Sequence, residues 1–88
     1  MLQVFKDVSA IASDVADVLA YFTNVPGSLG KACRDLTAAV LHRDPLALSA
    51  ALDEVTDLAD ALKADFAAAV PAFDKLKTDA KQLLTDLN

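Results

Sequence analysis

Residues 45–87 read PLALSAALDEVTDLADALKADFAAAVPAFDKLKTDAKQLLTDL. Within them Leu48, Leu52, Val55, Ala59, Leu62, Phe66, Ala69, Phe73, Leu76, Ala80, Leu83 and Leu87 follow one another at alternating steps of four and three. Side chains at that spacing share one flank of a helix, the 3.5-residue seam through which helices pack side by side. A half-buried strand would alternate every second residue, which this stretch does not. The chain is therefore expected to be all-α. Pro71 is the one interruption, because it has no N–H to bond toward Ala67. The preceding Ala67-Ala68-Ala69-Val70 contains no Gly, Asn, Asp or Ser to turn the chain, and the seam keeps its phase across the proline. The spacing predicts a helix over residues 45–87 with a kink or break at Pro71, and a kinked continuous helix fits it better than a hairpin.

Working outward, Asp44 is a helix N-cap and Pro45 suits the first helical position, while His42 and Arg43 suit the C-terminus of a preceding helix. That helix is expected over residues 28–42, with Ser28 as its N-cap and Leu29, Ala32, Leu36, Ala39 and Val40 on its apolar side. Gly30 in its first turn costs roughly 1 kcal/mol relative to Ala. The segment TNVPGS, residues 23–28, separates it from a first helix over residues 2–23. In the first helix Val4, Val8, Ile11, Val15, Val18 and Phe22 form the seam. Phe5, Ala12 and Leu19 broaden it at seven-residue intervals, and Lys6, Asp7, Ser13, Asp14 and Asp17 fall on the polar side. The two halves of the chain are alike in length, and each carries a proline directly after a valine, at Val25-Pro26 and Val70-Pro71. Residue identities barely match, so the likeness is one of geometry rather than of duplication.

Eighty-eight residues allow a single domain, spanning residues 1–88, around one core. Ala and Leu dominate the 55% hydrophobic fraction, and two Gly and three Pro are too few for the turns of a β-sandwich or barrel. The formal charge of −5 is unfavourable for nucleic-acid phosphate or anionic lipid. Asp supplies nearly all of the acidity, with Glu54 the single Glu, and we have no physical account of that bias. No signal peptide is expected, since the N-terminus lacks a basic stretch and an unbroken apolar one, and the default expectation is a cytoplasmic protein. A transmembrane segment is not expected either: the most hydrophobic stretch, residues 8–22, is broken by Asp14 and Asp17.

Several residue groups invite a chemical reading. Pro26-Gly27-Ser28-Leu29-Gly30-Lys31 shares residues with the end of a phosphate-binding loop. The pattern fails because Val25 stands where the first Gly is needed, Ala32 where Ser or Thr is needed, and a helix where the strand should be. Cys33 would need a base to act as a nucleophile, and His42, nine residues along the same helix, points to the opposite side, so a buried inert thiol is expected. Asp53, Asp57 and Asp60, with Glu54 beside them, share a stripe opposite the seam and read as a solvated face. Calcium loops and dinuclear carboxylate bundles use other spacings. With no Ser, His and Asp arrangement and no nucleophile elbow, neither an enzyme nor a cofactor or metal site is expected.

The functional expectation is a helical protein–protein interaction or structural module that self-associates, as a homo-oligomer, or packs on a partner helix. A continuous helix of about 42 residues would run roughly 63 Å at 1.5 Å per residue, too long for the shorter helices to cover. In that reading the seam residues Val8, Ile11, Val15, Val18, Phe22, Leu52, Leu62, Phe66, Phe73, Leu76 and Leu83 form the interface. The architecture is then a helical hairpin or a small helical bundle. The alternative is a monomeric bundle, folded back at Pro26 and Pro71, that binds an apolar ligand such as a fatty acyl chain between its helices.

Overall fold

The structure, a computed structural model, describes residues 2–87. It contains four α-helices: α1 Leu2–Leu19, α2 Gly27–His42, α3 Pro45–Leu62 and α4 Val70–Leu87, with a short 3₁₀ turn at Ala67–Ala69 ahead of the last. The seam that leads through residues 45–87 therefore belongs to two helices and not to one kinked helix. The break falls ahead of Pro71, at residues 63–69. Phe66 is where the backbone leaves the helix, at φ −131° and ψ 56°. Two amides, of Asp65 and Phe66, close back on the Leu62 carbonyl at 3.1 and 2.9 Å. Pro71 then lies in the first turn of α4, where a missing N–H costs no hydrogen bond. Alanines make the turn narrow enough to bury Ala69 fully, and the Phe66 ring lies on Phe22, centroids 4.5 Å apart, tying the two interhelical turns together. The longest dimension is 37 Å, which accommodates helices of about 27 Å but not one of 63 Å.

The other boundaries follow local chemistry. α1 ends at Leu19, earlier than residue 23, through a tightened turn in which Tyr21 and Phe22 donate to the carbonyls of Val18 and Leu19 at 3.2 and 3.1 Å. Ser28 is not the cap of α2. Pro26 holds that position with φ −56° and ψ 143°, and its carbonyl accepts from Gly30 at 2.9 Å. At the far end Arg43 adopts a left-handed φ of 51°, Arg43 and Asp44 donate to Val40 and Ala39, and the pattern is a Schellman cap built without glycine. Asp44 caps α3 as its sequence implies, Oδ1 accepting from Leu46 at 3.1 Å and Ala47 at 3.3 Å, with Pro45 just inside.

Neighbouring residues fix the topology. Asp14 meets Lys75, and Tyr21 and Ala72 line one surface groove, so α1 and α4 run antiparallel. Lys31 meets Glu54, and Ala39 and Ala47 share another groove, so α2 and α3 also run antiparallel. The result is an up-down-up-down four-helix bundle. Its core includes Ile11, Val18, Leu29, Leu36, Leu48, Val55, Leu76 and Leu83, all essentially without solvent exposure. The ring of helices is uneven: α1 lies closely along α4 and α2 along α3, whereas α1 and α2 touch only lightly.

Candidate functional site

The seam residues go mostly to the interior. Ile11, Val18, Phe22, Leu52, Phe73, Leu76 and Leu83 are buried in the chain's own core, Val8, Val15 and Leu62 are partly covered by it, and Phe66 sits at the surface of the turn. Folding the chain at residues 63–69 thus supplies the cover that a long continuous helix would lack, and the buried part of the seam offers no free surface.

What the core covers only in part is the flank of α1 that faces α2. Ile11 and Val18 turn fully to the interior, while Val8, Val15 and Leu19 are only partly covered and share with Ala12 a flank toward α2, which stands too far off to close over them. Between the two helices runs an open groove of about 520 Å³ whose apolar lining includes Val15, Leu19, Val25, Cys33 and Leu41. Polar character enters only through Thr37 and Arg34, and the Thr37 hydroxyl is already engaged, donating to the Cys33 carbonyl at 2.8 Å. Val8, Ala12 and Leu41 extend the apolar lining toward the N-terminal end of α1. Two large side chains on these helices stand out in solvent, Leu41 at the rim of the groove at 67% exposure and Phe5, one turn of α1 before Val8, at 64%. Exposing both costs roughly 1.5–3 kcal/mol each relative to burial, a reason for this face to be covered by something. Of these residues, Phe5, Ala12 and Leu19 carried a sequence signal, an α1 apolar arc wider than one neighbouring helix needs. Val25 continues the four-and-three series of α1 past Phe22, whereas Thr37 and Leu41 had no signal, because their place on the groove depends on how far α2 stands from α1.

The residues singled out for chemistry do not converge. Cys33 lies at the floor of the groove, buried, and burial pushes its thiol up. His42 lines a different, alanine-walled groove between α2 and α3. Asp53, Asp57 and Asp60 are solvent-exposed, and Glu54 meets Lys31 at 3.5 Å. Lys31 in turn binds Asp35 one helical turn on at 2.8 Å, a surface pair rather than a phosphate clamp. Among the described residues no group of three or more His, Cys, Asp and Glu is placed to hold a metal ion, and no helix is long and apolar enough to cross a membrane.

One assignment is reversed. Asp7 and Asp14 are not on the wet side of α1: both are buried against α4, Asp14 at 1% exposure. Burial, reinforced by Asp79, raises Asp14 from an ordinary 3.8 to about 6, and Lys75 opposes the rise. Asp7 moves in the same direction, through burial and the neighbouring Asp86, with Gln3 opposing.

No protein-family model matches the chain, and no curated protein or solved structure matches it either.

Proposed function

We propose that this chain is a non-enzymatic helical interaction module that self-associates through the open face between α1 and α2. The observation that carries the reading is the apolar groove lined by Val15, Leu19, Val25 and Leu41, with Leu41 projecting at its rim and Phe5 exposed further along α1. A surface with both a cleft and knobs is suited to a twofold contact, in which each copy presents the same patch to the other. Its lining carries one formal charge, Arg34, so two copies meet hydrocarbon to hydrocarbon with little electrostatic cost despite the acidity of the chain. A partner helix with apolar residues at three- and four-residue steps would use the same groove in the same way.

Light scattering on the purified chain tests this. The expected result is a dimer at micromolar concentration that Leu41→Asp or Phe5→Asp converts to a monomer with an unchanged helical circular dichroism spectrum. A wild-type chain that stays monomeric across the accessible range contradicts it.

A second reading rests on the size of the same groove. At about 520 Å³ it falls within the usual range for small-molecule sites, and its wall is hydrocarbon with a thiol at the floor, so an acyl chain is the ligand class that would fill it. Native mass spectrometry separates the two: a monomer carrying one lipid favours the carrier, and an unliganded dimer favours the module.

A further inference from the structure

The α1–α4 face carries four carboxyls where a helix pair normally buries hydrocarbon. Both oxygens of Asp14 are buried without a hydrogen-bond partner. Facing it on α4 are Asp79 and Lys75, the Lys75 Nζ 3.5 Å from Asp14 Oδ1. Seven residues back along α1 and seven residues on along α4, Asp7 faces Asp86. Gln3 Nε2 donates to Asp7 Oδ1 at 2.9 Å, and Gln82 Nε2 donates to Asp86 Oδ1 at 3.1 Å. Each amide covers one oxygen of its carboxyl and leaves the other, Asp7 Oδ2 and Asp86 Oδ2, buried and unpartnered.

Two ionised carboxylates offer each other acceptors only. One proton placed between them turns the contact into an O–H···O hydrogen bond and removes one of two like charges, which is how adjacent buried carboxyls come to share a proton. Other charges do little to replace that proton. Lys75 is 64% exposed, so water screens its attraction for Asp14, and Asp79 adds a repulsion of its own to Asp7. Asp17 and Lys75 line the groove on the outer side of the same helix pair. From α2, the other helix packed on α1, Cys33 and Arg34 reach the opposite flank, beside Val15 and Leu19.

We propose that the α1–α4 seam is a proton-operated latch, in which α1 is clamped on α4 while the Asp14–Asp79 and Asp7–Asp86 pairs each hold a proton and is loosened as those protons leave between mildly acidic and neutral solution. The latch stands on the α1–α4 face and does not depend on what occupies the groove between α1 and α2. Its direction follows from burial: the closed seam holds the Asp14 proton to about 6 against 3.8 in water, so protons favour closure and their loss favours release. Releasing α1 would bring Ile11, Val18 and Phe22 into solvent, converting a pH change into newly exposed apolar surface.

Amide hydrogen exchange of the full chain, with each rate divided by its intrinsic rate at that pH, tests the latch. Between pH 5 and 8 the opening equilibrium of α1 is expected to rise about tenfold relative to α3, from the Asp14 displacement alone. In Asp14→Asn that rise is expected to shrink to what the Asp7–Asp86 pair contributes, because an amide cannot ionise, and in the half-buried Asp79→Asn it is expected to shrink in part, because burial still holds the Asp14 proton. A constant ratio of α1 to α3 protection from pH 5 to 8 overturns the proposal. So does a wild-type pH dependence in both variants, or in Asp79→Asn alone if Asp14→Asn does not fold.

Discussion

Asp14 is a single side chain whose placement sets the response of the molecule to pH. Its side chain is at 1% exposure, facing Asp79 and Lys75, and the raised value of about 6 means that the folded state binds a proton more tightly than the unfolded one. The stabilising contribution is complete below 3.8, falls away as the pH climbs toward 6, and is absent above that. Denaturant unfolding at pH 4 and pH 7.5 is therefore expected to give a higher midpoint at pH 4, and in Asp14→Asn the difference should shrink to what the Asp7–Asp86 pair supplies. The position of Asp14 could have been read from the spacing. Asp7, Ile11, Asp14 and Val18 follow steps of four, three and four, and Leu76, Asp79, Leu83 and Asp86 follow three, four and three, so each acid shares a flank with residues that the core buries. Assigning acids to water by residue type hid this. The spacing already placed them inside.

The helices show how local chemistry and tertiary packing divide the work. Arg43 takes a left-handed φ of 51° at the end of α2, a conformation that costs an L-residue about 1–2 kcal/mol and glycine much less. Gly30 has the opposite problem: it occupies an ordinary helical site, and a β-carbon there would meet nothing nearer than Val25 Cγ1 at 3.8 Å. Arg43→Gly and Gly30→Ala are each expected to raise stability by roughly 0.5–1 kcal/mol, measurable as separate increases in denaturation midpoint. The caps at Asp44 and Pro45 were legible because they act within a few residues of sequence. The turn at residues 63–69 was not, because Pro71 drew attention to a position where it does no harm and the chain reverses ahead of it. What holds that reversal is the Phe66 ring on Phe22, a contact 44 positions apart that no local pattern announces.

At the scale of the whole molecule, two helical hairpins close into one bundle, and the closure is uneven. Lys31 and Asp35 recur 44 positions later as Lys75 and Asp79, and Phe22 recurs as Phe66, so the halves share a plan. They use it differently. Lys31 binds Asp35 and Glu54 on the surface between α2 and α3, whereas Lys75 and Asp79 sit over the buried Asp14 between α1 and α4. The all-α class and most of the core were written in the four-and-three spacing. Which apolar residues remain outside was not, since that depends on the separation of α1 from α2. The core closes on itself and leaves one apolar face, and the proposed contact with another copy depends on that separation. Methyl NMR over a dilution series measures it most directly. Self-association through this face is expected to give concentration-dependent shifts at the methyls of Val15, Leu19, Val25 and Leu41, with those of the enclosed Leu48 and Leu76 and of the solvent-exposed Leu46 unmoved. Shifts absent throughout, or gathered at Leu46 while the groove methyls stay constant, would contradict it.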